Sequence, residues 1–408
     1  MLYPRISLYA LMLSAAGIPL YIHLPRFASV SLGVGLGTLG TILFLIRLVD
    51  LVQDPLIGWA IDRWPRAQVF FATAAALGLS IGFPLLFHIR PGPNLLTNLV
   101  MVLVLLFSAY SLGMILLYGR SATLAKSPAP QALMTLAAFR EAGMLAGVII
   151  AAIAPAIFVS LGAAAYGYPV FGLFLSAIAV LTAVVALPIW RREPILGARF
   201  SFAGLSQAGS LRLLILGLVN SLPVAITSTL FLFFVEDRLQ LAGKAGPLLV
   251  FFFLSAGLSV PLWTKVARGA GPRATLMIAM PLAVLGFIGA AFLTQGDIVG
   301  FSIICLASGA ALGADMVILP AMFSVSLTLA GLKSSVAFGI WSFSGKLGLA
   351  MAAFIVLPLL EYSGFRPGVP NSDAALRMLN ITYAIIPCAL KLVALALVFR
   401  LPTEDQAL

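Results

Sequence analysis

The sequence of 408 residues is dominated by a succession of apolar stretches, each about 20 residues long and separated by short polar segments. A helix of about 20 predominantly apolar residues is what crosses the hydrocarbon core of a bilayer. The pattern therefore predicts an all-α integral membrane protein with twelve transmembrane helices. Their predicted bounds are 6–24, 35–61, 69–87, 95–118, 134–159, 168–190, 211–234, 246–264, 274–294, 298–323, 335–359 and 380–399.

The composition excludes a set of soluble domains. Charged residues make up 9% of the chain and hydrophobic residues 62%, whereas a soluble domain carries about 25% charged residues. The net charge of +11 would suggest nucleic acid for a soluble protein, but the basic residues lie at the ends of the apolar stretches. We therefore expect the lipid bilayer, and no nucleic acid, as a partner.

The distribution of lysine and arginine predicts the orientation in the membrane. Of the 24 basic residues, fourteen lie on the side of the N-terminus, six on the opposite side and four within apolar stretches. Cytoplasmic segments carry the excess of such residues, so we expect both termini in the cytoplasm of a bacterial-type inner membrane. The first stretch lacks a small-residue cleavage site and is interpreted as a retained helix.

The longest polar connection, 191–210, separates two sets of six apolar stretches. It predicts an N-terminal six-helix bundle over 1–190, a cytoplasmic central loop over 191–210 and a C-terminal six-helix bundle over 211–408. The halves carry similar chemistry, because Arg140 on the fifth stretch and Lys346 on the eleventh are each followed by Ala- and Gly-rich sequence. Small residues let helices approach closely, and paired halves are typical of secondary transporters that alternate access.

Three charged residues share one face of the second predicted helix. Arg47, Asp50 and Asp54 are spaced i, i+3, i+7, which places them on one stripe. A charge at the bilayer centre costs about 2.5–3.5 kcal/mol on insertion scales, so the stripe must face the bundle interior or a water-filled cavity. Pro55 has no N–H to donate to the carbonyl of Leu51. Two carboxylates beside a freed carbonyl suit a small cation or a shared proton.

The turn after this helix reads Gly-x-x-x-Asp-Arg-x-x-Arg, with Gly58, Asp62, Arg63 and Arg66 at the named positions. It resembles the cytoplasmic signature of the major facilitator superfamily (MFS). The resemblance implies a gating motif in which Gly58 allows close helix contact and Asp62 faces the N-terminus of a neighbouring helix. Arg63 and Arg66 would hold nearby carboxylates or carbonyls. An ordinary solvated basic loop is the alternative.

Further motifs, together with Asp50-x-x-x-Asp54-Pro55-x-x-Gly58, resemble the glycoside-pentoside-hexuronide:cation symporters, the family that includes melibiose permease. These motifs are Phe233-Phe-Val-Glu-Asp237, Gly313-Ala-Asp315 with Pro320, and Trp341-Ser-Phe-Ser-Gly-Lys346. The resemblance implies the MFS fold of two pseudo-symmetric six-helix bundles and coupling of solute transport to H⁺ or Na⁺.

The same resemblance implies roles for individual residues. Asp50, Asp54 and Ser111 match the positions that bind the coupling cation, with Lys346 nearby, and Arg140 matches an arginine of the sugar pocket. Two departures change the expected substrate, because the first predicted helix contains no acid and Met114 occupies the second acid position. An apolar residue there leaves a sugar hydroxyl unpaired at about 1–3 kcal/mol. A less hydroxylated, anionic or amphiphilic solute fits better than a neutral sugar.

A structural alternative stays open for the charges within the helices, because they can neutralise one another. Acids and bases occur there in equal numbers: Asp50, Asp54, Glu141 and Asp315 against Arg47, Arg140, Lys346 and Lys391. Arg47 and Asp50 can form a purely structural pair. Glu141 and Asp315 can serve either in such pairs or in substrate contact, and Lys391 is interpreted as an interhelical or snorkelling residue.

Other classes of function fit the sequence less well. An enzyme is not expected, because no His or Cys cluster and no nucleophile beside a base is present. A channel would show charged rings or filter loops. No cofactor is expected, and no metal beyond Na⁺ at Asp50 and Asp54; we expect a monomer that takes a small-molecule substrate. A transport-inactive scaffold or receptor with the same fold is the alternative function.

Overall fold

The computed structural model describes residues 2–125, 130–163, 167–193, 210–329 and 334–401. Within these ranges every regular element is helical, and twelve helices are long and apolar enough to cross a membrane, as predicted. They are α1 (Tyr3–Ser31), α2 (Leu36–Arg63), α3 (Pro65–Phe87), α4 (Leu95–Gly119), α5 (Pro130–Ser160), α6 (Tyr168–Trp190), α7 (Leu211–Arg238), α8 (Ala245–Ala270), α9 (Pro272–Phe292), α10 (Ile298–Leu329), α11 (Ser334–Tyr362) and α12 (Asp373–Phe399).

The first and last helices are longer than the apolar pattern predicts. α1 continues beyond residue 24 to Ser31 and includes the π-helical turns Pro19–His23 and Phe27–Ser31. α12 begins seven residues before the predicted start, where the Ser372 hydroxyl accepts a hydrogen bond from the backbone N–H of Ala375 at 3.3 Å. Hydropathy marks where a helix is apolar, whereas backbone hydrogen bonds and caps decide where it ends.

The chain divides into two compact units. The first is formed by Met1–Val34 and Ile42–Gly197, and the second by Gly35–Thr41 and Ala198–Leu408. The cytoplasmic central loop expected over 191–210 lies mostly outside the described residues, so its bounds stay a prediction.

Close backbone contact joins α1 and α5 in the first unit. A Cβ atom added at Gly143 would lie 2.1 Å from the carbonyl oxygen of Ser7, and one at Gly147 would lie 2.2 Å from the Ser14 hydroxyl oxygen. The hydroxyl of Ser7 also donates to the carbonyl of Phe139 at 2.6 Å. These glycines thus bring the two helices together, as expected for small residues on the fifth helix.

The second unit uses glycine in the same way. A Cβ atom at Gly309 of α10 would lie 2.1 Å from the carbonyl oxygen of Phe252 in α8. One at Gly348 of α11 would lie 2.2 Å from the hydroxyl oxygen of Ser221 in α7. Polar atoms of one helix therefore approach the backbone of its neighbour, which a larger side chain would prevent.

The close helix contact expected for Gly58 is absent from the described part of the chain. A Cβ atom added there meets nothing within 4 Å among the described residues, so Gly58 makes no close helix contact in that part of the chain. The residue lies at a partly exposed position of α2, where spacing alone does not reveal whether a neighbour is present.

We expect Gly143→Ala to destabilise the protein and Gly58→Ala to leave its stability nearly unchanged. The added methyl at residue 143 must push the carbonyl of Ser7 away, and such overpacking costs about 1–3 kcal/mol. At residue 58 the methyl meets open space, and alanine favours helix over glycine. Thermal unfolding of the two purified variants in detergent measures the difference. Equal melting temperatures for Gly143→Ala and wild type would contradict the close approach of α1 and α5.

Candidate functional site

The charged stripe of α2 begins with an ion pair. Nη1 of Arg47 donates to Oδ2 of Asp50 at 2.5 Å, and Asp50 is 1% exposed. The Arg47 guanidinium carbon lies 3.9 Å from the ring centroid of Phe107 in α4 and 5.5 Å from that of Tyr21 in α1. Cation–π contacts thus stabilise the charge where water is excluded. For Arg47 and Asp50, the structural pairing considered from the sequence is what the structure contains.

Asp54 lies one turn further along α2 and is only half-buried. Pro55 follows it inside a continuous helix, so the missing backbone donor does not end the helix. Next to Asp54, the side-chain carbonyl of Gln53 accepts a hydrogen bond from the Ser108 hydroxyl of α4 at 3.1 Å. The turn that carries Asp54 is therefore tied to α4.

Ser111 lies on α4 three residues after Ser108 and is fully buried. Residues spaced i, i+3 share one helix face, so Ser111 belongs to the face of α4 that contacts α2 through Gln53. Ser111 and the two acids of α2 therefore lie on two helices of the first unit that the Gln53–Ser108 hydrogen bond joins.

Arg140 and Glu141 form a second pair, at the side of α5. Nε and Nη2 of Arg140 donate to Oε1 of Glu141 at 3.1 and 3.0 Å. The guanidinium also lies 4.0 Å from the ring centroid of Tyr118 in α4. Glu141 is exposed whereas Arg140 is largely covered, so a solute anion could compete with the Glu141 carboxylate for Arg140.

A buried charge cluster occupies the second unit. Nζ of Lys391 in α12 donates to Oδ2 of Asp315 in α10 and, at 2.7 Å, to Oδ1 of Asn220 in α7. All three residues are buried, and Oδ1 of Asp315 has no hydrogen-bond partner among the described residues. Lys391 is thus interhelical and does not snorkel. Lys346 of α11 is also buried in this unit.

Asn220 was missed by reasoning from the sequence, because a neutral amide does not appear in a count of charges. The signal available was a single asparagine in the mainly apolar middle of α7, since a polar side chain at membrane depth needs a partner.

The contacts expected for Arg63 and Arg66 of the gating motif are absent from the described part of the chain. Both side chains are exposed, and neither has a hydrogen bond or ion pair there. Arg120, directly after α4, is buried instead: its Nη2 lies 3.5 Å from Oδ1 of Asp62 and donates to the carbonyl of Ile61 at 2.5 Å. Burial lowers the pKa of Arg120, and the charge of Asp62 opposes that shift. Arg120, between two helices that follow in sequence, therefore makes the contact with Asp62 that was expected near the turn.

We expect Arg120→Gln to lower the melting temperature and Arg63→Gln to leave it unchanged in neutral detergent. The first change removes a buried charged donor from the Ile61 carbonyl, a loss of about 1.5–3 kcal/mol. The second removes an exposed side chain that makes no described contact. A larger effect at residue 63 than at residue 120 would show that the arginine of the motif is the one that holds the turn.

No group of three or more His, Cys, Asp or Glu side chains in the described ranges is placed to hold a metal ion. Charged groups are instead arranged in pairs, within one helix for Arg47 with Asp50 and Arg140 with Glu141, and between α12 and α10 for Lys391 with Asp315.

Comparison with known proteins places this arrangement in a family. The family model described as MFS/sugar transport protein matches residues 6–405. A mutant of the nucleoside transporter NupG is similar to this chain with a TM-score of 0.75 and 13% identity, covering 98% of this chain and 99% of that one. A bacterial homolog of the human lysosomal transporter Spinster, in an inward-facing and unoccupied conformation, gives a TM-score of 0.67 and 13% identity over 98% and 95% of the two chains.

A search of curated proteins finds no match. At such low identity the two solved structures establish the fold alone, whereas the family match extends over nearly the whole chain. The twelve apolar helices and the family match agree with the MFS fold expected from the sequence. The chain belongs to the MFS/sugar transport protein family and is a multi-pass membrane transporter, not an enzyme.

Proposed function

We propose that the protein is a cation-coupled secondary transporter in which H⁺ or Na⁺ binds to α2 and drives the movement of a small solute. The contrast between the two carboxylates of α2 carries this proposal. Asp50 is enclosed and bound to Arg47, whereas Asp54 is only half-buried. Cation exchange is therefore assigned to Asp54, and Asp50 with Arg47 positions the helix that carries it.

The chemistry around Asp54 supports a small cation. Its carboxylate, the Leu51 carbonyl freed by Pro55 and the Ser111 hydroxyl of α4 are hard oxygen ligands of the kind that alkali cations prefer. Protonation of the Asp54 carboxylate would neutralise the same charge. Binding of either cation lowers the cost of binding the second solute, which couples the two movements.

The residues assigned to the substrate favour a solute with fewer hydroxyl groups than a disaccharide. Met114, on α4, offers no hydrogen bond where the resembling symporters have an acid. Arg140 beside an exposed Glu141, and Lys346 on α11, supply positive charge. In the second unit, Oδ1 of Asp315 is a buried acceptor without a donor in the described structure. We propose an organic anion or an amphiphile as the solute.

The proposal extends to topology and family. It places the chain among the glycoside-pentoside-hexuronide:cation symporters, as a monomer of a bacterial-type inner membrane with both termini in the cytoplasm. The excess of basic residues on the N-terminal side supports this orientation. Asp62, held by Arg120, serves in the proposed cytoplasmic gate.

A thermal-shift screen of the purified protein tests the proposal. Sugars, organic anions and lipids are added with and without Na⁺, at acid and neutral pH, and hits are reconstituted in proteoliposomes under an ion gradient. A ligand that binds only the folded state at 100 times its Kd stabilises it by about 2.7 kcal/mol, so a coupled solute should shift the melting temperature more when the cation is present. Absence of a cation effect, together with absence of concentrative uptake, would favour the transport-inactive scaffold.

A further inference from the structure

We propose that the turn between α2 and α3 is a binding site for the headgroup of an anionic phospholipid. The site is formed by Trp59, Arg63, Trp64, Arg66 and Phe70, here called the turn patch. Its elements are exposed aromatic rings and two arginines that have no partner in the described structure.

The aromatic part of the turn patch is displayed outward. Trp59 is 59% exposed and Trp64 52%, and their rings meet edge to face with centroids 5.6 Å apart. Phe70, at the start of α3, is exposed as well. Three large rings on the surface of a soluble domain would be a liability, but tryptophan is enriched where a membrane protein meets the lipid headgroups.

Each arginine of the turn patch is paired in sequence with one of these rings. Arg63 follows Trp59 by four residues on α2, and Arg66 precedes Phe70 by four residues at the start of α3. Side chains four residues apart lie on one face of a helix. Trp59 and Arg63 thus lie on the same face at the end of α2, whereas Arg66 lies in the 3-10 turn Pro65–Ala67 that begins α3, just before Phe70.

The turn patch carries net positive charge. The only acid within the turn, Asp62, is 79% exposed and lies 3.5 Å from the buried Arg120, so its charge is already balanced. Arg63 and Arg66 make no ion pair in the ranges that the structure describes. Two guanidinium groups therefore lack a counter-charge.

An anionic phospholipid supplies both a negatively charged phosphate for the arginines of the turn patch and an apolar surface for its rings. A guanidinium can donate two parallel hydrogen bonds to a phosphate, which makes arginine the preferred partner of that group. The rings of Trp59 and Phe70 would contact the glycerol and the first methylenes of the acyl chains. Free phosphate would leave these rings exposed, and an acidic protein segment would not extend to lipid-facing side chains.

The test uses the full-length protein in neutral detergent, with phosphatidylglycerol as the probe and phosphatidylcholine of the same acyl chains as the comparison. We expect phosphatidylglycerol to remain bound in native mass spectrometry and to raise the melting temperature. The double substitution Arg63→Gln/Arg66→Gln should weaken binding roughly tenfold or more. Arg90→Gln, an exposed arginine just beyond the other end of α3, serves as the matched control and should bind as wild type does.

Three results would overturn the proposal: unchanged phosphatidylglycerol binding by the double variant, equal binding of phosphatidylcholine, or an equal thermal shift with inorganic phosphate. Arg63→Lys/Arg66→Lys keeps both charges but loses the paired guanidinium hydrogen bonds, so it should bind more weakly than wild type and more tightly than the double Gln variant, which separates charge loss from misfolding. None of these readouts involves transport, so the result is independent of the proposed coupling at Asp54.

Discussion

Asp54→Asn is expected to abolish gradient-driven accumulation of substrate while the protein still expresses, folds and reaches the membrane. The amide has nearly the size of the carboxylate but carries no charge, so it neither takes up a proton nor neutralises Na⁺. Uptake into proteoliposomes should then stop when the substrate concentration inside the vesicles equals that outside. The rise in melting temperature that the cation produces in the wild type should also be absent from this variant.

The matched control for this experiment is Asp373→Asn, which makes the same chemical change at an exposed residue in the first turn of α12. That variant should accumulate substrate as wild type does. Concentrative uptake by Asp54→Asn at the wild-type level would refute the coupling role of Asp54 and leave only the family membership standing.

Lys391→Met is expected to destabilise the second unit strongly, by about 3–5 kcal/mol, because it leaves the Asp315 carboxylate buried without its base. The double variant Lys391→Met/Asp315→Leu should recover most of that loss, since replacing both members of a buried pair by apolar groups is often nearly neutral. This recovery distinguishes an uncompensated charge from a packing defect.

A thiol-reactive dye offers a direct measurement of this effect. Cys305 and Cys388 are free and buried in the same unit, so they become reactive when it unfolds. As a control, Glu141→Gln removes an exposed acid from Arg140 and should cost less than about 1 kcal/mol. A melting temperature for Lys391→Met close to that of Glu141→Gln would show that the Lys391 and Asp315 charges are solvated.

These two expectations separate two uses of charge at membrane depth. Arg47 with Asp50 inside α2, and Lys391 with Asp315 between α12 and α10, are buried pairs, and removal of one member should affect folding. Asp54 is more exposed than either acid, and its substitution should affect coupling alone. All of these residues can be found by counting charged side chains in the sequence. Only their burial separates those expected to affect folding from the one expected to affect coupling.

The amino-acid sequence by itself determined the class of the fold and the residues worth examining. Twelve apolar stretches of this length require twelve helices, because the hydrocarbon core cannot hydrogen-bond the backbone and each segment must satisfy its own N–H and C=O groups. This requirement does not depend on which helices lie next to each other. The i, i+3, i+7 spacing likewise placed Arg47, Asp50 and Asp54 on one stripe, since helical periodicity is local.

Only the tertiary structure decided which groups meet. It assigned the Asp62 contact to Arg120 and not to Arg63 or Arg66, joined Asn220 to Lys391, and put Gly143, but not Gly58, against a neighbouring backbone. Such contacts join residues distant in sequence, and their energies depend on burial and distance. Neither quantity is encoded in residue spacing along one helix, because both arise when separate helices pack together.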